Sequence, residues 1–240
     1  MRTLAIDTSH AAGSVAAGDG ERLSVRPLGA AGEHAGLLAE RLTEVARDLG
    51  WSLAEARLVA VIRGPGSFTG LRVGVATAKA IAWAGGLKLA GISGFEAVAR
   101  ETARLANRPP RPLEIAFDAG RGEVYAARLI PDAASPTGWR AGQAALHAAN
   151  GWVAALPAGS WVSGPALQFH GPLVAAAGHQ LAPAEGWFPT AEAAAALGRA
   201  RAAAGLEDNP HMLVPEYLRP SYADERRALD GAATAPDNLD

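Results

Sequence analysis

The chain has 240 residues, of which 49% are hydrophobic and 19% are charged, a composition typical of folded proteins rather than disordered or fibrous ones. Its formal net charge of −2 provides no overall attraction to nucleic acid or to an anionic membrane. The absence of cysteine excludes disulfides and thiolate ligands or nucleophiles, and it agrees with a cytoplasmic location. The first residues, MRTLAIDTSH, contain no long apolar run, so no signal peptide is predicted.

The first hundred residues predict three strands followed by alternating helices and strands. Strands are expected over 3–8, 12–18 and 22–28, with Asp19-Gly20 as a two-residue hairpin turn. The apolar spacing then predicts, in order, a helix over 33–49, a strand over 58–62, a helix over 70–84, a strand over 87–92 and a helix that ends near Ala106. This β-β-β-α-β-α-β-α order indicates an α/β lobe with a mixed sheet. It is the order of the two-lobed ribonuclease-H-like, actin-like and sugar-kinase-like folds.

Three prolines in the stretch NRPPRP indicate a break between two lobes. We therefore expect a first lobe over 1–107, a linker over 108–112 and a smaller, less regular second lobe over 113–205. In the second lobe the pattern predicts a hairpin over 113–130, a strand over 160–163 and an alanine-rich helix over 190–204, and it assigns no element to 131–159. Residues 206–240 form a C-terminal extension, and its last ten residues are expected to be disordered.

The stretch RGPGSFTGLRVG, residues 63–74, has the glycine content of a phosphate-binding loop. Its glycines are spaced G-x-G-x-x-x-G, which does not match the dinucleotide fingerprint, and no lysine follows Gly70 as a P-loop requires. The helix N-terminus alone still leaves a bound anion as an alternative. The favoured interpretation is a tight strand-to-helix turn capped by Ser67 or Thr69.

The helix that follows this turn carries only Arg72 and Lys79 as charges over 70–84, so it is expected to be covered on most sides. Small residues recur every four positions, and such a ridge lets another backbone approach closely; they are Gly70, Gly74, Ala78 and Ala82. Either helix 33–49 of the same lobe fills this ridge, or the equivalent helices of another subunit do. We favour the second alternative, which predicts that a bulky residue at Gly74 or Ala78 disrupts association and leaves the lobe folded.

Few residues show the spacing of catalytic chemistry. None of the six histidines forms an i,i+3 or i,i+4 pair, so no metal site is predicted. Asp7 and Thr8 at the end of the first strand, and Asp118 and Gly120 at the corresponding place in the second lobe, are weak candidates for two nucleotide phosphate loops. Aspartate and glycine at a strand end also simply form turns.

Four segments resemble one known family: AIDTS at 5–9, GPGSFTGLRVGVATAKAIA at 64–82, FDAGRGEVYAA at 117–127 and PEYLR at 215–219. They are similar to TsaB, the dimerisation subunit in bacterial synthesis of tRNA threonylcarbamoyladenosine. The resemblance implies an actin-like fold without catalytic residues or an intrinsic cofactor. TsaB is a paralogue of the catalytic subunit TsaD, whose metal-binding histidine pair has no counterpart in GISGFEAVA at 91–99.

The resemblance further implies pairing with TsaD through the first two helices, with the ATPase subunit TsaE joining and any ATP acting through these partners. Family members also form homodimers through the same surface, and tRNA is contacted only through the complex. The implied interface residues are His34, Leu37, Arg41, Gly70, Val73, Gly74, Thr77, Ala78 and Ile81. The alternative function is a stand-alone small-molecule kinase or ATPase of the same fold.

Overall fold

A computed structural model describes residues 1–29, 32, 34–106 and 110–217. The chain forms two β-sheets with helices on their faces, as the α/β prediction requires. The expected order of strands and helices in the first lobe is confirmed; it is β1 (Thr3–Asp7), β2 (Ser14–Asp19), β3 (Arg22–Pro27), α1 (His34–Asp48), β4 (Leu58–Gly64), α2 (Phe68–Gly85), β5 (Lys88–Ser93) and α3 (Gly94–Ala106).

The first sheet is mixed, with strand order β3-β2-β1-β4-β5. The pairs β1–β2 and β2–β3 are antiparallel, whereas β1–β4 and β4–β5 are parallel. In the β2–β3 hairpin Asp19 pairs with Arg22, so the turn residues are Gly20 and Glu21 rather than Asp19 and Gly20. Gly20 has a φ of +63°, a conformation that favours glycine and that places it in the turn.

The two faces of the first sheet are covered by different elements. On one face the side chains of β1 and β4 pack against α1 and α2 in a core of leucine, valine and isoleucine. The other face is covered by α6 (Ala191–Ala203), whose alanines pack against alanines of the strands. Such small side chains bring α6 so close that a Cβ on Gly198 would lie 2.6 Å from the Cβ of Ala60.

The second lobe is more regular than the sequence predicts. The expected hairpin is formed by β6 (Leu113–Gly120) and β7 (Glu123–Pro131) in a sheet of order β11-β10-β6-β7-β8, and β9 also pairs with β7. The strand predicted at 160–163 is β10 (Trp161–Ser163). The elements that the pattern missed are β8 (Trp139–Ala141), β9 (Ala145–Ala148), α4 (Ala149–Ala155), α5 (Leu167–Ala176) and β11 (Gln180–Leu181).

The boundary between the lobes in space differs from the boundary along the chain. Helix α3 belongs by sequence to the first lobe, yet its Phe95, Val98 and Ala99 pack into the core of the second sheet. Helix α6 belongs by sequence to 113–205, yet it covers the first sheet. The predicted assignment of 190–204 to the second lobe is therefore wrong, because periodicity shows that a helix has an apolar face and not which sheet covers it.

The C-terminal segment over 206–217 lies along the first lobe beside β5 and α2. The side chain of Leu213 is buried, and a Cβ on Gly91 would lie 2.5 Å from it. Its carbonyl oxygen accepts a hydrogen bond from Lys79 Nζ at 2.9 Å. Residues 108 and 109 of the expected linker, and the ten C-terminal residues expected to be disordered, lie outside the described part of the chain. No helix among the described residues is long and apolar enough to cross a membrane.

Candidate subunit interface and inter-lobe cleft

The glycine-rich turn between β4 and α2 packs directly on the loop that follows β1. A Cβ on Gly66 would lie 2.4 Å from the carbonyl oxygen of Ser9, and one on Gly70 would lie 2.0 Å from that of Thr8. Ser67 donates its backbone N–H to Ser9 O at 2.7 Å, and its hydroxyl accepts the N–H of Gly70 as the helix cap. Backbone packing therefore explains why these two positions are glycine. Of the two residues predicted to cap the helix, Ser67 and Thr69, the cap is Ser67.

Gly64 is required by a third backbone contact. Its φ is +138°, and a Cβ there would lie 2.5 Å from the carbonyl oxygen of Glu216. Next to it, Arg63 O accepts the backbone N–H of Glu216 at 2.7 Å. The C-terminal segment thus holds the start of the turn, while the β1 loop holds its end. A phosphate is not needed to explain any of the three glycine positions.

The small-residue ridge of α2 faces the lobe's own sheet. Gly74, Ala78 and Ala82 are buried, and a Cβ on Gly74 would lie 2.3 Å from Thr8 Oγ1. The burial of this ridge within the protomer contradicts the prediction that it receives the backbone of another subunit. The alternative fits better, since Ala78 and Ala82 share a core with Leu38 and Leu42 of helix α1. Gly74 lets α2 lie closely on the sheet, because a larger side chain there would meet Thr8, Val61 and Ile6.

His34 is also removed from the predicted interface. Its side chain is buried, and Nε2 lies 3.2 Å from the carbonyl oxygen of Ala11. A Cβ on Gly13 would lie 2.9 Å from the ring. The histidine therefore holds the β1–β2 loop against α1 within one protomer. A sequence reading cannot separate this role from a surface role, because both place a polar residue at a helix start.

One strip of the outward face of α2 consists of uncharged residues. Val73, Thr77 and Ile81 are half-buried along it, and beside them runs an exposed row of small residues at four-residue spacing, Ala76, Ala80 and Ala84. The two charges of the helix point elsewhere. Arg72 donates to the hydroxyl of Tyr217 at 2.9 Å, and Lys79 bonds the carbonyl of Leu213. The strip has no charge of its own, and Lys79 and the exposed indole of Trp83 lie beside it at Ala80. The opposite face of the helix is covered by the sheet.

Helix α1 extends this strip at the side nearer β2 and β3. Leu37 is half-buried at the edge of the same hydrophobic core that Val73 and Ile81 border. Arg41 is half-buried and donates from Nη1 to Glu44 at 2.7 Å. We call the surface formed by Leu37, Arg41, Val73, Thr77 and Ile81 with the three exposed alanines the α1/α2 face. Five of the nine predicted interface residues lie on it, and Gly70 is half-buried beside it.

The exposed alanine row has the same sequence pattern as the buried row. Ala76, Ala80 and Ala84 recur at the same four-residue spacing as the buried row, so spacing alone cannot choose between the two. The sheet covers the row that contains Gly74, since only glycine fits over Thr8 there. The contact between Phe68, the first residue of α2, and Tyr217 was likewise not predicted; their ring centroids lie 5.0 Å apart.

A cleft of about 350 Å³ lies between the lobes, and both candidate phosphate loops reach it. Ser9 and His10 line it from the loop after β1, and Phe117 and Asp118 line it from the end of β6. The remaining lining residues are Gly66, Ser67, Pro165, Gln168, Phe169 and Pro189. None of these is a lysine or an arginine, so the described lining offers a triphosphate no permanently charged cation.

Three of the four nucleotide candidates are engaged in local structure. Asp7 is fully buried and accepts the N–H of Ser9 at 2.9 Å and its hydroxyl at 2.6 Å. Thr8 Oγ1 donates to Gly70 O at 2.7 Å. Gly120 ends β6 with a φ of +74° and pairs with Glu123 of β7, and a Cβ there would meet no atom within 4 Å. Asp118 is the candidate with a free approach to the cleft, and its carboxylate lies 3.9 Å from His170 Nε2.

His10 connects Asp7 to the segment before α6. Its Nε2 lies 3.1 Å from Asp7 Oδ2 and 3.0 Å from Pro189 O, so this nitrogen is placed to donate to two acceptors. Burial lowers the pKa of His10, but the hydrogen bond to Asp7 and the charge of that carboxylate outweigh it, and the net pKa is raised. No group of three or more histidine, aspartate or glutamate side chains suited to a metal occurs within 1–29, 32, 34–106 and 110–217.

Known proteins with similar sequence support the resemblance. The family described as "TsaD: tRNA N6-adenosine threonylcarbamoyltransferase" matches residues 21–134. Two curated relatives named "tRNA threonylcarbamoyladenosine biosynthesis protein TsaB" are 35% identical over 132 residues in Escherichia coli and 34% identical over 131 residues in Haemophilus influenzae. These matches cover 55% and 54% of this chain, and it spans just over half the length of each relative, 56% and 54%.

Solved structures extend the similarity in fold to nearly the whole chain. The structure titled "YeaZ from Pseudomonas aeruginosa" superimposes with a TM-score of 0.76 at 22% identity, covering 90% of this chain and 99% of that one. At this identity the match establishes the shared fold. The chain is therefore similar in sequence to curated TsaB proteins over about half of its length, and it shares the fold of this solved structure over most of its length.

Proposed function

We propose that this chain is a non-catalytic partner subunit in the synthesis of tRNA threonylcarbamoyladenosine, and that it docks on a TsaD-type enzyme through the α1/α2 face. The complex would transfer a threonylcarbamoyl group to the adenosine beside the tRNA anticodon. The observation that carries the proposal is the uncharged outward strip of α2, a helix already covered by its sheet on the other side. The names of the curated relatives supply the pathway.

The strip has the geometry that close helix packing needs. The exposed row Ala76, Ala80 and Ala84 leaves room for a partner backbone, since alanine side chains keep the interaxial distance short. Val73 and Ile81 flank this row with branched apolar side chains that are only half-buried in the protomer. Arg41 and Glu44 form a polar rim, as in most protein interfaces. Burial of this strip would remove apolar surface from water without stranding a charge.

The same surface accounts for the other proposed partners. A second copy of this chain could occupy it, so a homodimer and the pairing with a TsaD-type subunit would exclude each other. TsaE would join the TsaD-containing pair, and any ATP would act through these partners. We propose that tRNA meets the chain through the assembled complex, which would place the protein in the cytoplasm.

The α1/α2 face is tested by co-purification with a TsaD-type subunit and by the transfer reaction with and without this chain. Ala80→Arg should weaken association at least tenfold, because it places a long cation in the uncharged strip. Its unfolding midpoint should stay near that of the wild type, since Ala80 is exposed. The matched control is Ala175→Arg, an exposed alanine of α5 on the second lobe, which should leave association unchanged.

Two results would contradict the proposal. Full transfer activity of the TsaD-type and TsaE-type subunits without this chain would remove its role as a partner. Micromolar binding of Mg-ATP to the isolated chain by calorimetry, with turnover, would instead support a stand-alone kinase or ATPase. Unchanged association of Ala80→Arg would place the interface on another surface.

A further inference from the structure

The inter-lobe cleft is bordered by an aromatic ring and a carboxylate that the fold itself does not use. The side chain of Phe169 is 67% exposed, although Leu167 on the same helix is buried. Asp118 is exposed at the end of β6. Among the described residues its carboxylate has one polar neighbour, His170 Nε2, which lies 3.9 Å away and so beyond hydrogen-bonding distance. The ring and the carboxylate are therefore both available to a molecule in the cleft.

A close backbone contact fixes the wall that carries these two side chains. Gly164 has a φ of +112°, and a Cβ there would lie 2.3 Å from the carbonyl oxygen of Ala116 on β6. The same oxygen accepts the backbone N–H of Ala166 at 3.0 Å, immediately before α5. The start of α5 is thereby held against β6, so Phe169 and Asp118 border one cleft from fixed positions. Ligand sites are usually preformed in this way.

The facing wall comes from the first lobe and offers hydrogen-bonding groups. The hydroxyl of Ser67 accepts the N–H of Gly70, and its own O–H has no acceptor among the described residues. His10 is held at 3.1 Å from the buried carboxylate of Asp7, which balances its charge when it is protonated. The described lining of the cleft contains no lysine or arginine to hold a phosphate. These groups suit an uncharged ligand rather than a phosphorylated one.

We propose that the inter-lobe cleft binds a small, uncharged, planar heterocycle with two adjacent N–H donors, the chemical class that includes guanosine. An ionised carboxylate accepts two N–H donors through its two oxygens, so Asp118 accepts the pair. Phe169 stacks on the ring, and the O–H of Ser67 donates to a ring carbonyl. The volume of about 350 Å³ is at the small end of ligand sites, roughly 300–1,000 Å³. The cleft shares no residue with the α1/α2 face, so the site is independent of the proposed partner role.

Calorimetry with guanosine on the full chain tests this site. The wild type should bind guanosine saturably and adenosine at least tenfold more weakly, because adenine has an acceptor nitrogen where guanine has its ring N–H. Asp118→Asn should weaken guanosine binding at least tenfold and leave the unfolding midpoint unchanged, since Asp118 is exposed. The matched control is Glu185→Gln, an exposed carboxylate outside the cleft lining, which should bind guanosine as the wild type does.

Two further measurements test the aromatic ring and the lack of charge. Phe169→Ala removes the stacking surface and should weaken guanosine binding about fivefold or more, whereas Leu146→Ala, at another exposed apolar residue of the second lobe, should leave it unchanged. Guanosine 5′-monophosphate should bind no more tightly than guanosine. Four results would each overturn the proposal: no guanosine binding, equal affinity for guanosine and adenosine, unchanged guanosine binding in both cleft variants, or much tighter binding of the monophosphate.

Discussion

The two faces of α2 carry the same pattern of small residues and serve opposite purposes. The row Gly74, Ala78 and Ala82 lies on β1 and β4, where a single added Cβ would meet Thr8. The row Ala76, Ala80 and Ala84 is exposed. A row of small residues on a helix therefore predicts that another backbone lies close to it, and not which element supplies that backbone. The predictions below measure how different the two rows are.

The largest effect is expected for Gly74→Leu. The new side chain has no space between α2 and Thr8, and overpacking together with a displaced helix should cost about 3 kcal/mol or more of the free energy of unfolding. Chemical denaturation should report this loss, whereas Ala80→Arg on the outward row should stay within about 0.5 kcal/mol of the wild type. A stable Gly74→Leu that fails only to associate would restore the original prediction for this row.

An intermediate loss in the free energy of unfolding is expected for Thr8→Val. The substitution keeps the shape of the side chain and removes the hydrogen bond from Oγ1 to Gly70 O, which should cost about 1 kcal/mol. Thr43→Val is the control, because its exposed hydroxyl makes a similar bond to Ala39 O on the outer side of α1. Equal unfolding midpoints for the two variants would mean that Thr8 does not anchor the covered face of α2.

The smallest change in the free energy of unfolding is expected for His10→Gln, in the loop that supports α2, and this change depends on pH. Because the folded pKa of His10 is raised, its protonated form contributes stability that is fully present below the unfolded pKa, about 6.5, and is lost as pH rises through the folded pKa. The difference in free energy of unfolding between wild type and His10→Gln should therefore shrink between about pH 6 and pH 9. Urea titrations across this range measure it, and a difference that grows with pH would contradict the Asp7–His10 assignment.

The first lobe could be predicted well from the sequence because its signals are local. Continuous apolar runs identified β1 and β4, Gly85 and Gly86 ended α2, and Ser67 was one of two residues predicted to cap it. The second lobe could not be predicted as well. Its strands β8, β9 and β11 have only two to four residues each, too few to show an alternating pattern, and they form by pairing with neighbouring strands. Helix α3 packs on the second sheet and helix α6 on the first, and apolar periodicity could not predict either contact.

The predicted interface residues fall into an accessible group and a buried group. Leu37, Arg41, Val73, Thr77 and Ile81 were predicted as interface residues and lie on the accessible α1/α2 face, where their role remains a proposal. His34, Gly74 and Ala78 were predicted with them and are buried in the protomer.

By itself the sequence determined the order of elements in the first lobe, the capped glycine turn and the family resemblance, because each depends on residues that are neighbours along the chain. Which row of α2 is covered and which sheet each helix packs on depend on tertiary contacts. The reason is physical: burial and charge pairing depend on distances between elements, and a helix with small residues on two sides can pack on either of them.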